Sequence, residues 1–174
     1  MIAVAASVLS VANVPAQTSV SDNPHLRAKD EPRKAPPPLS DKDRTFIQTA
    51  ANAGAAEVAD GRVAEARAQS AEVKKIAATM VADHSRANKE LTELANKKGL
   101  GMDLSKGKPR SWAKDNFDGS YLASMESDHK ADIKTFEAEA KSGDDAEIKA
   151  WAGKTLSILK AHLAMVKDAR SKRK

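Results

Sequence analysis

A chain of 174 residues with 41% hydrophobic and 30% charged side chains suits one globular domain with short appendages rather than a disordered polymer. Aromatic residues make up only 3%, so thin side chains must do the packing, which favours closely packed helices over a β-sandwich. The absence of cysteine excludes disulfides and thiolate metal ligands, and a net charge of +5, much of it in residues 167–174, comes without the aromatic platforms of a specific nucleic-acid binder.

Residues 1–16, MIAVAASVLSVANVPA, carry no charge and end on Val14, Pro15 and Ala16, a small-residue pattern that suits signal peptidase. They predict a signal peptide and an exported protein, periplasmic in a Gram-negative source, although a basic start is missing. The stretch is short for a membrane span and no other apolar run approaches about 18 residues, so no transmembrane span is expected in the mature chain. Residues 17–40 hold Pro24, Pro32, Pro36, Pro37 and Pro38 among polar residues and predict a flexible linker.

A first helix is expected over about 41–69, with Ser40 as N-cap and Asp41 and Asp43 in its first turn. Its inward face is Phe46, Ala50, Ala53, Glu57, Gly61, Ala64 and Ala68. A second helix, about 71–98, starts at Ser70, stops at Gly99 and carries Val73, Ile76, Met80, His84, Ala87, Leu91 and Leu94. Gly101, Gly107 and Pro109 then mark a crossover loop, with one helical turn expected near Trp112. A third helix, about 119–142, turns Leu122, Met125, His129, Ile133, Phe136 and Ala140 inward. After Gly143, Asp144 is the expected cap of a fourth, about 144–170, with the stripe Ile148, Ala152, Thr155, Leu159, His162 and Val166. This pattern predicts an all-α up-down four-helix bundle over 41–171, built as two helical hairpins joined by a longer crossover loop.

Glu57, His84, His129 and His162 occupy core positions on four different helices, where ionisable groups are rarely buried alone. Counted from the turn near Ser70, Glu57 and His84 lie 13 and 14 residues away and share a depth. From Gly143, His129 and His162 lie 14 and 19 residues away, an offset of roughly 7 to 8 Å that places His162 about a turn off. Glu126 and His129 form one Glu-x-x-His pair, but Val81 and Leu159 stand where a second and third would need carboxylates. That argues against a diiron site and for one transition-metal ion, zinc or copper, on Glu57, His84, His129 and His162. Glu126, Met80 and Met125 are additional candidate donors, and Asp83 and Asp128 are candidate outer acceptors for the imidazoles. Gly54 and Gly61 flank Glu57 and leave room beside it, either for a ligand, a water or a close neighbour or for Trp151 or Phe136.

Gly54-x-x-Glu57-Val58, Met80-Val-Ala-Asp83-His84-Ser85, Phe117-Asp118-x-x-Tyr121 leading to His129, and Ala161-His162-Leu163 resemble the exported bacterial proteins grouped as domain of unknown function 4142. The resemblance covers about residues 41–167 and implies a ferritin-like bundle in the cell envelope. It brings no reaction, and it implies Glu57, His84, His129 and His162 as functional positions. Two functions stay open: a metal-binding bundle for storage, buffering or stress protection, and a non-catalytic structural or interaction module whose polar core is hydrogen-bonded and metal-free. A redox metalloenzyme is disfavoured by the shortage of bridging carboxylates. An envelope partner and a monomer or homodimer are compatible with either.

Overall fold

The computed structural model describes residues 38–102, 107–113 and 115–173. The expected signal peptide and the linker up to residue 37 lie outside them. Four helices form: α1 Asp41–Arg67, α2 Ala71–Lys97, α3 Phe117–Ser142 and α4 Ala146–Ser171, with no strand among the described residues.

Local chemistry sets most of the boundaries. The Ser40 hydroxyl accepts from Asp43 N at 3.2 Å and the Ser70 hydroxyl from Val73 N at 3.5 Å. At the end of α2, Gly99 takes φ +76°, and Leu100 N and Gly99 N donate to Ala95 O and Asn96 O, the paired bonds that glycine permits at a helix C-terminus. Three expectations are corrected. Asp145, not Asp144, caps α4, its Oδ1 accepting from Glu147 N and Ile148 N. Helix α3 begins at Phe117, two residues early, because Asn116 adopts a left-handed φ of 50° and turns the chain into the helix there. Trp112 sits in non-helical chain, its ring packed on Phe117 and Tyr121 at centroid distances of 5.6 and 5.7 Å.

Helices α1 and α2 form one antiparallel hairpin, α3 and α4 the other. The start of α3 meets the α1–α2 turn, where Asp118 accepts from Gln69 N and Ser70 N at 3.0 and 2.9 Å. The start of α1 meets the α3–α4 turn, where Asp43 accepts from Asp144 N and Asp145 N at 3.0 and 2.8 Å. The crossover therefore travels the length of the bundle and passes α1 beside Ala55, so close that a Cβ on Gly107 would lie 2.2 Å from Ala55 O. At mid-length Arg110 is anchored to buried Asp60 through its backbone N–H (2.8 Å) and Nε (2.7 Å) and to Asp128 through Nη2 (2.6 Å).

These clamps expose an internal repeat of 75 positions that pattern reading along single helices misses. Asp43 and Asp118 are 75 apart, as are the turn residues 69–70 and 144–145. The shift aligns Asp43-x-Thr-Phe-Ile with Asp118-x-Ser-Tyr-Leu, and Ser70-Ala-Glu-Val-Lys-Lys-Ile-Ala with Asp145-Ala-Glu-Ile-Lys-Ala-Trp-Ala. Each half is a hairpin whose apolar ends pack against the other half. One buried cluster holds Phe46, Ile47, Leu91, Phe136, Ile148 and Trp151; the other holds Val73, Met80, Tyr121, Leu122, Met125 and Val166. The polar layer lies between them.

Glu139, 3% exposed, lies beside the Asp43 clamp. Burial, then the hydrogen bond and charge of Asp43, push its carboxyl up to about 7, with Asp144 adding to the rise and Lys42 opposing it. A native pKa above the unfolded value means that the native state holds the extra proton. Its stabilisation is complete below the unfolded carboxylate range and is lost as pH rises through about 7. Glu139→Gln should therefore flatten the fall in melting temperature between pH 5 and pH 8. Equal slopes for the variant and the parent in thermal melts would refute this.

Candidate functional site

Glu57, His84, His129 and His162 converge in the polar layer, with exposures of 3, 6, 0 and 2%. The three imidazoles form a nearly equilateral triangle, with ring centroids 5.5 Å (His84–His129), 5.3 Å (His84–His162) and 5.3 Å (His129–His162) apart. His162 is not a turn away, as the depth count predicted. From the helix ends that form, His129 lies 13 residues before the last residue of α3 and His162 16 after the first of α4. That leaves an offset of about 4.5 Å, which the two side chains span.

Outer contacts decide which nitrogen of each ring carries hydrogen. His129 Nδ1 is 3.0 Å from Met125 O, and a carbonyl only accepts, so Nδ1 donates and Nε2 is left bare. His162 Nε2 is 2.9 Å from Asp83 Oδ2, so Nε2 donates to the carboxylate and Nδ1 points inward. The two inward nitrogens, His129 Nε2 and His162 Nδ1, face each other at 3.2 Å. His84 Nδ1 is 3.0 Å from Glu57 Oε2, and its Nε2 is buried without a partner in the protein. Glu57 Oε1 lies 3.2 Å from His129 Nδ1 without hydrogen-bonding to it, because that N–H is directed at Met125 O.

The electrostatics favour the neutral forms of His84 and His129. Burial, then the charges of His129 and His162, lower His84 to about 3; burial, then His162, lowers His129 to about 4. Burial pushes Glu57 well above the usual carboxylate range, helped by Asp132, Asp128 and Asp60 and opposed by Arg110. Burial alone would raise Asp83, but the hydrogen bond and charge of His162, together with Arg86, hold it below its ordinary value.

A 3.2 Å contact between two ring nitrogens needs either a proton between them or a Lewis acid in front of both. Three imidazoles on one ion, each about 2.0–2.1 Å from it, place their nitrogens roughly 3.3 Å and their ring centres roughly 5.2–5.5 Å apart. The three ring-centre distances and the 3.2 Å His129–His162 nitrogen pair agree, and nitrogens of all three rings lie within 4.8 Å of one another. The rings thus match one ion with three nitrogen donors, while Met125 O, Asp83 and Glu57 orient them from behind.

The remaining candidates fall elsewhere. Glu126 binds Lys130 at 2.5 Å and also Arg170 on the outer face. Asp128 holds Arg110 rather than an imidazole. Met80 and Met125 are fully buried in the apolar cluster, and Met125 reaches the site through its carbonyl. Gly54 lets Asn88 approach α1, its Oδ1 2.2 Å from where a Cβ would lie, and Gly61 lets α2 approach at Val81 and Ala77 O. Trp151 and Phe136 line a small cavity together with Gly54. Sequence reasoning passed over Asp60 and Arg110; Asp60 follows Glu57 by three positions on the same helix, which was the available signal.

A family model described as "Domain of unknown function (DUF4142)" matches residues 28–169. Among solved structures, a crystal structure of a DUF305 fragment from Deinococcus radiodurans superposes with a TM-score of 0.62 at 13% sequence identity, over 78% of this chain and 99% of that one. At that identity the likeness speaks for the helical fold alone. No curated protein matches.

Proposed function

The chain belongs to the DUF4142 family, and from its histidine layer we propose that the bundle binds one transition-metal ion, as an exported protein serving metal storage, buffering or stress protection. The observation that carries this is the triangle of imidazoles, with the bare Nε2 of His129 3.2 Å from His162 Nδ1. Neutral nitrogen donors suit zinc, cobalt and copper. Among the described residues no carboxylate joins the three-nitrogen group, which disfavours a bridged diiron pair. With a cation at His84 Nε2, the ring keeps its proton on Nδ1, 3.0 Å from Glu57 Oε2, and the displaced proton leaves to solvent; a Glu57 carboxylate accepting that N–H strengthens the imidazole as a donor.

The second reading is a metal-free polar layer that fixes helix register. It is supported by the 3.2 Å spacing of His129 Nε2 and His162 Nδ1, which is also that of a hydrogen bond between the two rings. Titrating the metal-free full chain at neutral pH separates the two. Free zinc, copper or cobalt at 100 times its dissociation constant should add about 2.7 kcal/mol to the unfolding free energy. No shift in melting temperature with any of the three removes the metal.

A further inference from the structure

Moving the histidine layer along the 75-position repeat replaces Glu57 by Asp132, His84 by Leu159, His129 by Gly54 and His162 by Ala87. All four replacements line one cavity of about 20 Å³ beside the layer, with Glu57, His84 and Trp151 among the other walls. One half of the pseudo-symmetric centre is filled with imidazoles; the other, where glycine and alanine stand instead, keeps a void large enough for about one water. Three buried polar atoms on residues of this wall have no hydrogen-bond partner in the protein: Glu57 Oε1, His84 Nε2 and Trp151 Nε1, on residues only 3, 6 and 9% exposed. Buried groups of this kind are nearly always satisfied.

The wall also selects the guest. Glu57 and Asp132 both border the cavity and oppose an anion. Among the described residues, the only group of three or more His, Asp or Glu ligand atoms close enough to hold a metal is the histidine triangle, so the cavity does not present a second cation cage. Trp151 supplies a donor, while Glu57 supplies an acceptor as carboxylate and a donor as acid. We propose that the cavity is a binding site for one small uncharged oxygen hydride, water or hydrogen peroxide, held between Glu57 and Trp151.

The experiment uses metal-free full-length protein, so its outcome is separate from that of metal binding. Oxygen-17 water relaxation should show one fewer long-residence water in Ala87→Leu than in the parent, because leucine fills the void at the position equivalent to His162. Should that variant fail to fold, Ala87→Val fills part of the same void with a smaller side chain and should likewise lose the water. For peroxide, Trp112→Phe leaves Trp151 as the single tryptophan, excited selectively on the red edge beyond tyrosine absorption. Hydrogen peroxide should then quench it saturably with an unchanged lifetime, and Ala87→Leu should abolish the saturable part. A long-lived water without saturable quenching supports the site and assigns it to water alone. Equal water counts in the parent and both variants, with quenching that rises linearly with peroxide, overturn the proposal.

Discussion

Replacing Asp118 with alanine should lower the unfolding free energy by about 3–5 kcal/mol, one of the largest losses expected from a single polar side chain of this bundle. Asp118 is 4% exposed, and its two oxygens accept separately from Gln69 N and Ser70 N, the residues that turn α1 into α2. Hydrogen bonds to a charged acceptor contribute about 1.5–3 kcal/mol each, and alanine leaves both amides without an acceptor while unlatching the two hairpins at that end. For a chain of this size the melting temperature should fall by roughly 10 °C. Asparagine retains one acceptor oxygen and should cost about half as much. Asp43→Ala removes the matching clamp at the opposite end and should cost a similar amount; the sites share no partners, so the double variant should show nearly additive losses. Urea unfolding measures all four. A loss below about 1 kcal/mol for Asp118→Ala would show that the hairpins are held by their apolar clusters alone.

His129→Leu should separate stability from metal binding. His129 is fully buried between Met125 O and His162, and leucine fills much of its volume while removing one of the two facing nitrogens. With both facing nitrogens bare, leucine removes a lone-pair repulsion against the cost of leaving His162 Nδ1 unpaired, so the metal-free variant should melt within a few degrees of the parent. The gain of about 2.7 kcal/mol at 100-fold metal over its dissociation constant should vanish, because two imidazoles remain where three stood. Met80→Leu, a change within the apolar cluster, should keep the gain. Glu57→Gln retains the shape beside His84 and should weaken metal binding 10–100-fold without abolishing it. If the layer is instead a protonated hydrogen-bond chain, His129→Leu destabilises the protein whether or not metal is added, and the parent shows no metal-dependent shift at all. Paired melts with and without metal distinguish these cases.

The elements of this protein were legible because what makes them is local. Apolar residues at three- and four-residue spacing mark each helix face, and the Ser40, Ser70 and Gly99 signals act within a few residues of themselves. The same periodicity placed Glu57 and three histidines on inward faces, where all four are buried. Chain order alone did not decide what those groups touch. The distance from His162 to His129 depends on where α3 ends and α4 begins, and the turn is set by a carboxylate from α1, Asp43, about 100 residues earlier. Asp83 orients His162 from a different hairpin, 79 residues away, while Glu126, three positions before His129, turns outward to Lys130 and Arg170. The 75-position repeat stayed hidden because few identities survive, and its meaning appears only when both halves meet around the layer and its cavity. Sequence by itself determined four amphipathic helices and which polar groups they bury, since both follow from the periodicity of a single helix. Tertiary structure decided which nitrogens face one another and which carboxylates stand behind them, because those contacts depend on the depth and tilt of helices far apart in the chain.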